Sequence, residues 1–205
     1  MDKKTTNVFR HANPMDKTPE ARLTEKGIEQ AKAIGKYIES QGNTEGLILT
    51  SPIPRVVHTA EVAREAAGLN IDYFGSFQAV ITIEDLLTEI KELNTFTREG
   101  MTKEDALKCA TWDECMQRSP KLTEFLKQRH DEMLIILEKI SKEMKLNQAA
   151  SIFTHGQNLA PLRGAIMSEN FDIENFLSAP LVGEGKGFTT DLAKDKKELD
   201  YDLGL

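Results

Sequence analysis

Three short β-prone runs in this chain stop at, or just before, an arginine or a histidine, and a helix-like stretch follows each of them. Thr5-Thr6-Asn7-Val8-Phe9 leads into Arg10-His11. Gly46-Leu47-Ile48-Leu49-Thr50 is followed by Ser51-Pro52-Ile53-Pro54-Arg55, and Ala149-Ala150-Ser151-Ile152-Phe153-Thr154 by His155-Gly156. Strands that alternate with helices predict an α/β fold of three layers, α/β/α, around a mostly parallel central sheet. Ligands bind such a sheet in the crevice beyond the carboxyl ends of its strands. Arg10, His11, Arg55 and His155 are therefore expected on one edge of the sheet, where they can converge.

The stretches between these runs support the alternation. Residues 12–23 form a polar loop with Asn13, Pro14, Asp16 and Pro19. Thr24 reads as an N-cap with Glu25 in the first turn, and Ile28, Ala31, Ile34 and Ile38 follow at helical spacing until Gly42. A second helix is expected from about Arg55 to Ala67, carrying Val56, Ala60 and Ala63 on one face and ending at Gly68. Ile71–Phe74 is a weaker third strand, and Ile83–Leu93 an acidic helix or turn. A helical insertion capping the site is expected at about 94–145, within a single domain spanning 1–205. Inside it, the apolar stripe from Leu122 to Met144 has core spacing, and His130 is expected on a solvated face. After His155 a helix is expected near Leu159–Met167, with Pro161 tolerable only in its first turn. Phe188–Leu192 closes the series as a final strand.

A formal net charge of -7 argues against nucleic acid or an anionic membrane as partner, since both require basic surface. An acidic protein that binds phosphate must gather its positive charge in one pocket. No apolar run is long enough to span a bilayer, and Met1-Asp2-Lys3-Lys4 does not lead into a secretory signal. Cys109 and Cys115 match no zinc spacing and imply no disulfide framework. A cytoplasmic location is the expectation.

Two arginines and two histidines about one point make a dianion site. Arginine offers a rigid fork of donors to phosphate oxygens, and a neutral imidazole is a nucleophile near pH 7. Gly183-Glu184-Gly185-Lys186-Gly187 looks superficially like a phosphate loop, but it lacks the Gly-Lys-Ser/Thr ending and is expected to be an ordinary flexible loop.

Four stretches in order resemble the histidine phosphatase superfamily, which includes the phosphoglycerate mutases. They are Arg10-His11-Ala12, Leu23-Thr24-Glu25-Lys26-Gly27, Ser51-Pro52-Ile53-Pro54-Arg55 with Thr59-Ala60, and Thr154-His155-Gly156. The resemblance implies a phosphoglycerate mutase-like fold. His11 would be the nucleophile that becomes phosphohistidine, Arg10 and Arg55 the phosphoryl clamps, and His155 the second pocket histidine. Glu89, in Leu86-Leu87-Thr88-Glu89, would be the proton donor, with Glu84, Asp85 and Glu92 as rivals. Gln157 would offer a backbone N–H to the phosphate. No metal or other cofactor is implied, because the arginines neutralise charge. The substrate would be a small phosphorylated molecule or a phosphoprotein.

Two departures stand out. Ala12 occupies a position that is usually glycine, as it often does in the phosphohistidine phosphatase branch. No Trp-Glu-Gly stretch of the mutase type follows the acid, since the only tryptophan is Trp112. Both favour a phosphatase. A phosphomutase and a non-catalytic phospho-ligand binding module are the alternatives.

Overall fold

The computed structural model describes residues 4–16, 18, 21–42, 45–76, 120–145, 148–172, 182–193 and 198–205. Within them the chain runs β1 (Thr5–Arg10), α1 (Glu25–Ser40), β2 (Glu45–Thr50), α2 (Pro54–Ala67), β3 (Asn70–Ser76), α3 (Pro120–Glu143), β4 (Ala149–Thr154), α4 (Gly156–Met167) and β5 (Gly187–Asp191). The strands lie in the order β3-β2-β4-β1-β5. All neighbours are parallel except β5, which runs antiparallel to β1. The α/β/α architecture with a mostly parallel sheet expected from the sequence is the one observed.

Alternation along the strands assigns the two faces. Val8, Leu47, Ala150, Ile152 and Phe188 pack on one side against Met133, Leu137 and Ile140 of α3 and Leu159, Leu162 and Ile166 of α4. Phe9, Ile48 and Phe153 pack on the other against Ile34 and Ile38 of α1 and Val56, Ala60 and Ala63 of α2. β1 and β4 lie between both helix layers and are buried almost throughout, as a central parallel strand must be.

The caps explain the helix boundaries. Thr24 Oγ1 accepts a hydrogen bond from the Gly27 amide at 3.0 Å and starts α1. Pro54 opens α2 with a φ already suited to a helix, and Gly68, in the left-handed region at φ 60°, closes it. α2 therefore begins one residue earlier than expected.

Three expectations change. Residues 133–144, placed at the sequence level within a cap at about 94–145, are a helix layer of the core, because their apolar stripe faces the sheet; residues 94–119 lie outside the described residues. His130 is buried at 1% exposure rather than solvated. Its ring meets Phe171 edge-on and its Nε2 is 3.1 Å from the Ser168 carbonyl, so it caps the end of α4. α4 begins at Gly156, which places Pro161 inside the helix and past its first turn. No helix among the described residues is long and apolar enough to cross a membrane.

Candidate active site

Backbone hydrogen bonds just beyond the sheet join three strand ends. The His11 amide donates to the Thr154 carbonyl at 2.9 Å, and the Ser51 amide to the Phe153 carbonyl at 3.0 Å. β4 lies between β1 and β2, so His155 is brought between His11 and the start of α2. The His11 and His155 rings meet at 5.3 Å between centroids, inclined by 64°. Residues 144 positions apart in sequence thus share one pocket because their strands are direct neighbours in register.

His11 has a defined tautomer. Its Nδ1 lies 2.9 Å from the carbonyl oxygen of Ala12, which can only accept, so Nδ1 carries the proton. Nε2 is left with its lone pair. The pKa of His11 is lowered from 6.5, chiefly by burial and then by the charges of Arg55 and Arg10, against the bond to Ala12 and the charge of Glu184, which raise it. Near pH 7 the ring is neutral and nucleophilic.

Ala12 itself is fully buried and packs with Leu23 and Ala31. Its amide donates to Thr59 Oγ1 at 3.1 Å, and Thr59 Oγ1 donates to the Arg55 carbonyl at 2.7 Å. The methyl group that replaces the usual glycine hydrogen therefore fills core space beside α1. Thr59 ties the loop after β1 to the helix that carries Arg55.

The two arginines are held alike. Nη1 of Arg10 donates to the Val182 carbonyl at 2.9 Å, and Nη1 of Arg55 to the Thr18 carbonyl at 2.7 Å. Nε of each is buried and has no hydrogen-bond partner among the described residues. Each guanidinium is thus fixed at one corner with an unused donor at Nε; on Arg55 the Nε–Nη2 edge can offer two parallel donors to an anion, while on Arg10 Nη2 also faces Glu184 Oε1 at 3.7 Å. Arg55 is 7% exposed. Burial is the main influence lowering its pKa from the ordinary arginine value, yet guanidinium remains a cation in proteins. A Cβ added at Gly156 would stand 3.3 Å from Cζ and Nε of Arg10. Glycine at this position lets α4 begin close to Arg10.

His155 is 3% exposed, and its Nε2 shares a hydrogen bond with Ser51 Oγ at 3.1 Å. Burial, with the charges of His11, Arg55 and Arg10 added, pushes its pKa down to about 3. The unfolded chain therefore binds a proton at this residue below pH 6.5 that the folded protein refuses until about pH 3. Stability from this group is fully present above pH 6.5 and is lost as pH falls towards the folded value. Between pH 7 and 5 the loss should be about 2 kcal/mol, and His11 adds to it in the same sense. Thermal melts across that range should show a shallower fall for His155→Gln than for wild type; equal slopes would refute the assignment.

Gln157 occupies the second position of α4, where a backbone N–H has no partner within the helix; its side chain is outside the described residues. Glu89, Glu84, Asp85 and Glu92 also lie outside them. Asn13, Ser51, Thr59, Gly156 and Glu184 are the site residues for which the sequence reading assigned no role. Thr59 and Gly156 stood within the motifs, but Glu184 stood in the stretch expected to be an ordinary loop. That stretch is a tight turn, closed by the Lys186 amide on the Gly183 carbonyl and tied to His11 by the Gly185 amide at 3.1 Å.

The sequence matches the family model of the histidine phosphatase superfamily, branch 1, over residues 6–182. No curated protein matches it. Among solved structures it is similar to a phosphoglycerate mutase from Bacillus anthracis str. Sterne, with a TM-score of 0.62 and 14% identity over 98% of this chain and 93% of that one. It is also similar to phosphoserine phosphatase from Entamoeba histolytica, with a TM-score of 0.59 and 14% identity over 96% and 94%. A third is mycobacterial glucosyl-3-phosphoglycerate phosphatase, with a TM-score of 0.54 and 15% identity over 98% of both chains. At these identities the structural likeness establishes a shared fold, while the family match covers most of the chain. The chain belongs to the histidine phosphatase superfamily, branch 1.

Proposed function

We propose that this protein is a phosphatase that hydrolyses a phosphate monoester, or a phosphohistidine, through a phosphohistidine intermediate at His11. The observation that carries the reading is the bond from His11 Nδ1 to the Ala12 carbonyl, which leaves Nε2 unprotonated in a pocket with two arginine forks. Nε2 attacks phosphorus, and the bond from phosphorus to the leaving atom breaks. For an ester, an acid protonates the departing oxygen, and Glu89 is proposed for that role. Water then attacks phosphorus and gives a proton back to the carboxylate, the P–N bond breaks, and inorganic phosphate leaves with His11 and the acid restored. Covalent capture divides one difficult displacement into two easier ones. Arg10 and Arg55 neutralise the equatorial oxygens in both, which is where phosphoryl transfer gains most. His155 lines the same pocket as a neutral imidazole. The substrate is a small phosphorylated molecule or a phosphoprotein, and no metal is assigned a role.

The test is a rapid acid-free quench with p-nitrophenyl phosphate labelled in its phosphoryl group. The label should appear on the protein as an alkali-stable, acid-labile adduct that peptide mapping assigns to His11, with inorganic phosphate as the final product. An acid-stable adduct, or one mapped elsewhere, would reject the mechanism.

A further inference from the structure

Glu184 is a carboxylate fixed beside an anion clamp. Its Oε1 stands 3.7 Å from Nη2 of Arg10, and its Oε2 accepts a 2.7 Å hydrogen bond from Asn13 Nδ2. The other end of the Asn13 amide is engaged as well: its Oδ1 accepts from Thr24 Oγ1 at 2.9 Å. The backbone is held as well. Gln30 Nε2 donates to the Glu184 carbonyl at 3.0 Å, and Gly185, at φ 69°, donates its amide to the His11 carbonyl. Such tethering is not the behaviour of a freely solvated surface acid. Its field also reaches across the pocket, where it opposes the fall in pKa of both His11 and Arg55.

An acid is an unexpected neighbour for a phosphate site, since it repels the dianion the arginines attract. We infer that Glu184 is an affinity-setting residue: a resident counter-ion that pairs with Nη2 of Arg10 and weakens the hold on a phosphoryl dianion, so that product phosphate is released. This rests on the reading of the pocket as a phosphoryl site. Arg10 has a further anchor in the Val182 carbonyl, so it keeps its place when the carboxylate is lost. Removing the charge should therefore strengthen phosphate binding. The relay from Thr24 through Asn13 also gives the Leu23-to-Gly27 stretch a function at the pocket. A Cβ at Gly27 would collide with the Asn13 carbonyl, so glycine permits α1 to start close enough for Thr24 to hold Asn13.

The experiment is calorimetric titration of the full-length protein with inorganic phosphate, for wild type, Glu184→Gln, Glu184→Ser, Glu184→Asp and Arg10→Ala. At low ionic strength both neutral variants should bind phosphate on the order of tenfold more tightly than wild type. The gap should close in about 1 M salt, where screening acts within ~3 Å. Glu184→Asp, which keeps the charge, should stay near wild type. A structural loosening would weaken binding and would not vanish with salt. If wild type binds phosphate and Arg10→Ala loses it, but the neutral variants bind no more tightly, the role given to Glu184 is wrong and the phosphoryl pocket stands. If wild type does not bind phosphate at all, the pocket reading falls and the inference with it.

Discussion

His11→Ala should lower kcat by about 10⁴-fold or more on any ester the protein hydrolyses, while phosphate affinity changes by less than about tenfold. The two effects separate because the ring and the clamps have independent supports. The imidazole is oriented by the Ala12 carbonyl, whereas Arg10 and Arg55 are pinned by the carbonyls of Val182 and Thr18. Deleting the ring removes the attacking nitrogen and leaves both forks in place. Steady-state rates and phosphate titration of the same preparation check this directly. A variant that retained turnover within tenfold of wild type would show that the nucleophile lies elsewhere.

Arg55→Ala should reduce kcat/KM by about 10²–10³-fold, the usual cost of removing one donor aimed at developing charge. The more telling comparison is Arg55→Lys. Lysine keeps the charge, but a single ammonium cannot both replace the 2.7 Å bond to the Thr18 carbonyl and offer two parallel donors to a phosphoryl group. Arg55→Lys should therefore recover less than about a tenth of the lost activity. Recovery to near wild-type kcat/KM would mean that Arg55 acts as a point charge and that its unused Nε is incidental. Arg55 is also buried, so melting curves should accompany the kinetics.

The five described strands were legible in the sequence because each is short, β-prone and bounded by turn residues. Gly68 marked the end of α2 for an equally local reason, its tolerance of the left-handed region, while Pro54, which presets φ, starts the helix one residue before the expected Arg55. The position of α3 was less legible. Its stripe read as core, yet the segment around it read as a cap, because spacing along a helix reveals that a face is buried and not what buries it. The start of α4 was misplaced for a related reason. Pro161 weighs against a helix in local terms, but α4 is held by its packing on α3 and the sheet, which overrides that preference.

The same division runs through the site. Residue types and their order in the chain already specified strands that end on arginine or histidine, and hence a pocket where those residues could meet. Periodicity and turn chemistry are local, so one sequence suffices to read them. Only the tertiary structure decided which nitrogen of His11 is free, which edge of each arginine is open, and that Glu184 stands beside Arg10. Those features depend on partners such as Val182 for Arg10 and Glu184 for Asn13, separated by 172 and 171 positions. Contacts of that span leave no local pattern: they exist because parallel pairing of β1 with β4, and antiparallel pairing with β5, brings distant loops to one end of the sheet.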